Sequence, residues 1–139
     1  MQDCIFCKIV RGEIPSAKVY EIESVLCFLD VAPAVKGHCL VIPKVHVENI
    51  LEMPEDMAAD VHRVIRKAGR GIIQGLKADG FNVGMNNFQA AGQVVMHAHW
   101  HLIPRFKGDG LQLWPQYKYD SNQEMQSVAQ NLSSAIQQP

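Results

Sequence analysis

Apolar residues recur along this chain in two rhythms, one of period two and one of three to four. Ile5, Phe6, Ile9 and Val10 stand at near-helical spacing before Gly12 and Pro15 break the run, which predicts a short N-terminal helix. Residues 18–21 and 25–29 read as two strands joined by the polar turn Glu23-Ser24. Residues 38–42 form an apolar strand stopped by Pro43. Met57, Val61, Val64, Ile65, Ala68 and Ile72 then recur every three or four positions, predicting one long helix over 54–77. Its first turn carries Glu55 and Asp56, acids that suit the positive end of the helix dipole. Strands are expected again over 81–85 and 94–104, with a polar, Gly- and Ala-rich loop between them. An irregular aromatic stretch over 107–119 leads to a C-terminal helix over 121–136, with Ser121 as N-cap and Glu124 completing a capping box. Strands, a long helix and more strands predict an α+β fold with a mainly antiparallel sheet of about five strands.

A chain of 139 residues has room for one domain, with its core over about 4–106 and an extension over 107–139. Apolar residues make up 47% of it, enough for a real core. Thirteen basic against fourteen acidic residues give a net charge of −1, which excludes nucleic-acid binding by bulk electrostatics but leaves small phosphate ligands open. No apolar run is long enough to span a bilayer, and Met1-Gln2-Asp3-Cys4 does not open a signal peptide, so a cytoplasmic protein is expected. In that compartment disulfides are not expected, and Cys27 and Cys39, single within apolar runs, read as small buried hydrophobes.

Three of the six histidines, His97, His99 and His101, alternate with apolar residues. On a strand they project from one face, about 7 Å apart, while Met96, Ala98, Trp100 and Leu102 turn to the core. Packing explains the second face and leaves three imidazoles in a row unexplained. They can ligate a catalytic metal. Alternatively, one imidazole, with its other nitrogen hydrogen-bonded, attacks phosphorus while its neighbours set its tautomer and stabilise charge. The preceding loop, with Asn86, Asn87, Gly92 and Gln93, offers amide and backbone donors suited to phosphate oxygens, and no carboxylate lies between Asp79 and Asp109. That favours the nucleophile. His38 and His62 read as ordinary surface or boundary residues.

The run from Gly92 through His97-Ala98-His99-Trp100-His101 to Ile103 resembles the signature of the histidine-triad (HIT) family. The resemblance extends to Cys4-Ile5-Phe6-Cys7-Lys8-Ile9, Glu13-Ile14-Pro15, Phe28-Leu29-Asp30 and the run from Gly37 to His46, and is nearest that family's branch of nucleoside phosphoramidases and hydrolases. It implies a homodimeric hydrolase in which His99 attacks the α-phosphorus of a purine nucleotide and carries the nucleotidyl group, with His97 and His101 completing the triad. His101 would bond the phosphate or leaving group, and Asn86 and Gln93 the phosphate oxygens. Asp30 would hold the ribose hydroxyls, and Ile5, Phe6, Ile9, Phe28 and Val31 would form the slot for the base. The substrate is then a nucleoside phosphoramidate or a dinucleoside polyphosphate. Val94 stands where the family usually has Ser or Thr, which bears on leaving-group preference; its backbone N–H remains available.

By spacing alone, Cys4-x-x-Cys7 is half of a zinc site in want of two ligands. The resemblance supplies them as His46 and His97, a closed Cys₂His₂ structural zinc tying the N-terminal helix to the histidine strand. Two other readings stand beside this one: a nucleotide-binding regulatory protein with slight catalysis, and a metal-dependent hydrolase using the triad as ligands. In such a homodimer Trp114 and the C-terminal segment are expected to reach the partner's site.

Overall fold

The computed structural model describes residues 3–137. A five-stranded sheet is built from β1 (Lys18–Glu21), β2 (Val25–Leu29), β3 (Cys39–Pro43), β4 (Gly80–Met85) and β5 (Trp100–Arg105). Its spatial order is β1-β2-β3-β5-β4, and every neighbouring pair is antiparallel. The helices are α1 (Ile5–Val10), α2 (Glu55–Gly75) and α3 (Asn122–Gln137), the expected α+β composition. The chain through Asp109 forms one compact unit, and the chain from Gly110, which holds α3, forms another. The first unit extends to Asp109 because Arg105 pairs with Asp109 at 2.8 Å and the Lys107 N–H donates to Asp79.

β2 and β3 are the buried centre of the sheet, and their alternation sorts side chains into two cores. Val25, Cys27, Cys39 and Val41 face α2 and pack with Val61, Val64, Ala68 and Ile72, as the helical spacing requires. Leu26, Phe28, Leu40 and Ile42 face the other way and pack with Phe6 of α1. The two thiols Cys27 and Cys39 are buried, as expected of small apolar groups. α2 also approaches β4 closely, where a Cβ on Gly69 would strike the ring of Phe81.

Four local readings are corrected. The third strand begins at Cys39, not at His38. In α3 the Ser121 hydroxyl accepts from the Glu124 N–H at 3.0 Å, but the Glu124 carboxylate reaches back to the Asp120 N–H, one residue before the expected partner. The last strand begins at Trp100: β4 ends at Met85, opposite Trp100, and the ladder to β3 stops at the Val41–Trp100 pair although β3 itself runs on to Pro43. Residues 94–99 run free of the sheet, tied by the Ala98 N–H to the Val47 carbonyl at 2.7 Å. Met96, assigned to the core, is consequently 42% exposed, whereas Ala98 and Leu102 are buried as expected.

Candidate functional site

His97, His99 and His101 lie on the α1 side of the sheet but do not form an evenly spaced row; only His101 is on a strand. The bend that frees residues 94–99 lets each imidazole find different partners. His97 and His99 are buried. The His99 and His101 ring centroids are 5.0 Å apart, closer than the spacing along a straight strand.

His99 is fixed through Nδ1, which donates to the His97 carbonyl at 2.7 Å. That bond sets the tautomer: the proton is on Nδ1 and the lone pair on Nε2. The edge of Phe6 braces the ring at 5.1 Å. Nε2 has no protein partner among the described residues, and no buried side-chain nitrogen lacks one, so Nε2 keeps open surface. The cavity that His99 lines encloses ≈ 600 Å³, within the range of small-molecule sites.

His101 is set by a relay that begins at a residue given no role from sequence. The Ala34 N–H donates to His38 Nδ1 at 3.0 Å, so His38 carries its proton on Nε2. That proton is donated to His101 Nδ1 at 2.9 Å. His101 therefore holds its own proton on Nε2. Asp30 stands 3.7 Å from His38 Nε2, and the Ala32 N–H donates to its other oxygen at 2.8 Å. Burial pushes the pKa of His101 down to about 4, aided by the neighbouring His99 and His38, and burial also lowers that of His38 against the pull of Asp30. Both are neutral donors near pH 7. His38 is thus not a boundary residue. The available signal was parity: His38, Leu40 and Ile42 alternate onto one face, and Leu40 pairs with His101. His62 is exposed on α2, as expected.

The cavity brings together nearly all the residues expected to bind substrate. Ile5, Phe6, Ile9, Phe28 and Val31 line it, with Asp30, Asn86 and Val94. Gly92, in the left-handed region at φ 98°, closes the loop above it, and Asn86 Nδ2 donates to its carbonyl at 3.4 Å. Gln93 is the exception. Its Nε2 donates to the Glu48 carbonyl at 2.6 Å and to the Val95 carbonyl at 3.1 Å, while its Oε1 accepts from the Phe88 N–H at 2.8 Å. Its amide is saturated by backbone and fastens the loop, including Phe88 at the unfavourable φ of 72°, rather than facing the cavity.

On the other side of the same segment, Cys4 Sγ, Cys7 Sγ and one ring nitrogen each of His46 and His97 lie within 4.8 Å of one another. His97 Nε2 donates to the Pro43 carbonyl at 2.8 Å, which leaves the Nδ1 lone pair facing the thiols. His97 Nδ1 is 3.4 Å from Cys4 Sγ and 3.6 Å from Cys7 Sγ, and His46 Nδ1 is 3.4 Å from Cys7 Sγ. Tetrahedral zinc, with Zn–S of about 2.3 Å and Zn–N of about 2.0–2.1 Å, requires S···N edges of about 3.5 Å. The donor set and its spacing fit that ion. Burial lowers the pKa of His97 to about 4, keeping the imidazole neutral as a ligand must be. A bound zinc would supply structural closure, since four protein ligands leave no open position. The triad does not converge on a common metal: His97 turns to the thiols, His99 to a carbonyl and His101 to His38.

An imidazole with an unpartnered Nε2 on a cavity of small-molecule size, flanked by two further histidines beside an open antiparallel sheet, defines a histidine-centred site. Residues 11–108 match the HIT domain, and the chain belongs to that family. It is 46% identical over 137 residues to "Protein hit" of Bacillus subtilis, covering 97% of this chain and 92% of that one. It is 40% identical to an adenosine 5'-monophosphoramidase of Schizosaccharomyces pombe, covering 96% and 98% of the two chains. Among solved structures, a HIT family member from Bacillus subtilis superposes with a TM-score of 0.89 at 41% identity, covering 99% of each chain. A zinc-bound histidine triad protein of Mycobacterium smegmatis superposes with a TM-score of 0.77 at 36% identity, covering 96% and 98%. Among the described residues no helix is long and apolar enough to cross a membrane.

Proposed function

We propose that this protein is a nucleotide hydrolase or transferase that cleaves a phosphorus bond at the α-phosphate of a purine nucleotide through a nucleotidyl-His99 intermediate. One observation carries the reading: His99 is pinned by Nδ1 with its Nε2 lone pair open at the cavity wall. In the first step Nε2 bonds to phosphorus and the bond to the leaving group breaks. His101, whose Nε2 holds a proton because Nδ1 accepts from His38, offers that N–H as a hydrogen bond to the departing atom, which draws its proton from solvent. In the second step water displaces His99 from phosphorus and its proton passes to solvent. Asp30 receives the ribose hydroxyls, the apolar slot takes the base, and Asn86 and the Val94 N–H steady the phosphate oxygens. The S. pombe relative named as a monophosphoramidase supports the reaction class.

The reading includes a structural zinc on Cys4, Cys7, His46 and His97, supported by the donor spacing. It also includes a cytoplasmic homodimer joined through α2 and the edge strand β4, where Phe81 and Val83 are exposed. The C-terminal segment with Trp114 would reach the partner's site, an expectation that truncation after Asp109 tests by activity and oligomeric state.

Rapid quench with an adenosine phosphoramidate, followed by intact mass measurement, tests the mechanism. A nucleotidyl adduct on the wild type and none on His99→Ala, with turnover lost in the variant, is expected. Retained turnover in His99→Ala overturns it, and nucleotide binding without turnover by the wild type makes the protein a binding module.

A further inference from the structure

One polar side chain on the wall of the His99 cavity is without a task in the proposed reaction. Ile14, Pro15 and Ser16 form the cavity's rim between α1 and β1. The rim is anchored at its start, where the Glu13 and Ile14 N–H groups both donate to the Lys8 carbonyl, at 2.9 and 3.4 Å. It is anchored at its end, where the Ala17 carbonyl accepts from the Leu29 N–H at 2.9 Å. Pro15 stiffens the backbone between them. Lys18 of β1 pairs with Phe28 of β2, and the Ala17–Leu29 bond carries the antiparallel pairing on by one residue. One step further, Ser16 stands across from Asp30, on the face that Phe28 shares, and both side chains line the cavity. Opposed residues of such a pair have Cβ atoms about 5 Å apart, within reach of one sugar ring.

The cavity's polar side chains are Ser16, Asp30, Asn86, His99 and His101. The last three serve the phosphate end, so Ser16 is the one side-chain donor beside Asp30. An ionised carboxylate only accepts, and Asp30 already accepts from the Ala32 N–H through one oxygen. When the ribose hydroxyls give their protons to Asp30, their own oxygens keep lone pairs that the carboxylate cannot meet. The Ser16 hydroxyl is exposed and has no hydrogen-bond partner among the described residues, so it is free to donate. We propose that Ser16 is a specificity-determining residue that donates to a ribose hydroxyl oxygen, so that Asp30 as acceptor and Ser16 as donor together select a ribonucleotide over a nucleotide lacking that hydroxyl. The inference rests on the nucleotidyl-transfer reading and deepens its sugar subsite. The contact is remote from phosphorus and equal in ground and transition states, so it acts on KM.

The test measures kcat and KM of the wild type, Ser16→Ala and Ser16→Thr with an adenosine phosphoramidate and its 2′-deoxy and 3′-deoxy analogues. Ser16→Ala is expected to raise KM for the ribonucleotide about fivefold, the scale of one neutral hydrogen bond, with the loss falling on KM rather than kcat. With the analogue that lacks the contacted hydroxyl, the same substitution is expected to leave KM where it was, so the preference for the ribonucleotide shrinks. Ser16→Thr, which keeps a hydroxyl, is expected to keep the wild-type preference. A rim that had merely lost its packing would weaken all three substrates alike. An equal effect of Ser16→Ala on all three, or no effect on the ribonucleotide, overturns the contact and leaves the nucleotidyl-transfer reading standing. No turnover of any of the three by the wild type overturns both.

Discussion

Two clusters of four side chains flank residues 97–101, and they use the same imidazole chemistry to opposite ends. On one side, Cys4, Cys7, His46 and His97 turn every lone pair inward to a common centre. On the other, Asp30, His38, His101 and His99 arrange their protons so that one lone pair and one N–H face a cavity. The difference lies in what each ring's second nitrogen meets. His97 spends its N–H on the Pro43 carbonyl and offers Nδ1 to the thiols. His99 spends its N–H on the His97 carbonyl and offers Nε2 to the cavity. The two clusters are joined at one residue, since His97 contributes its ring to the first and its carbonyl to the second. What holds the ring of His97 therefore also holds the tautomer of His99.

The strongest way to separate the clusters is His99→Ala. Turnover is expected to fall by at least about 10⁴-fold, with metal content by atomic absorption unchanged. Parallel loss of metal would show the clusters to be one unit. His38→Ala sharpens the relay. It frees the tautomer of His101, so kcat is expected to fall about 10–100-fold with KM little changed. The acid limb of the pH profile should move as well, and partial rescue by His38→Gln, which restores a donor to His101 Nδ1, separates this from a packing defect.

Emptying the first cluster comes next. Chelation, or Cys7→Ser, is expected to lower the melting temperature by about 10 °C. Turnover at a temperature where the protein is folded should fall less than in His99→Ala, because the zinc has no open position. In the metal-free protein, His97 and His101 have folded pKa values of about 4, below the ordinary 6.5. The unfolded chain binds more protons between those values, so stability falls as pH drops from 6.5 toward 4 and is unaffected above that window. A thermal shift series from pH 7.5 to 4.5 checks the sign; zinc should reduce the slope by holding Nδ1 of His97. The smallest effect is expected at Gln93. Gln93→Ala strands the Phe88 N–H and two carbonyls, costing about 1–3 kcal/mol, and raises KM by loosening the loop that carries Asn86 and Val94.

Much of this was legible along the chain. The strands alternate, α2 repeats every three or four residues, and polar turns mark most boundaries. The slot residues Ile5, Phe6, Ile9, Phe28 and Val31 were readable because a family pattern marked them, although apolarity alone does not distinguish slot from core. Phe6 and Phe28 are in fact both, buried in the core on the α1 side of the sheet and lining the cavity. Gln93 was misassigned because an amide in a polar loop looks the same whether it faces a ligand or its own backbone. Its partners, Glu48 and Val95, are fixed by where two loops meet.

Local sequence by itself determined the elements, the two faces of the central strands and the residue types of the chemistry, because periodicity and side-chain pKa are properties of short stretches. Tertiary structure alone decided the work of each histidine. The ladders of β5 to β3 and to β4 both stop at Trp100 and leave residues 94–99 out of the sheet, and the carbonyls of Pro43 and His97, the N–H of Ala34 and the thiols then claim one ring nitrogen each. An imidazole's tautomer is set by the donors and acceptors that its two nitrogens meet. Those groups come from positions up to 93 residues away.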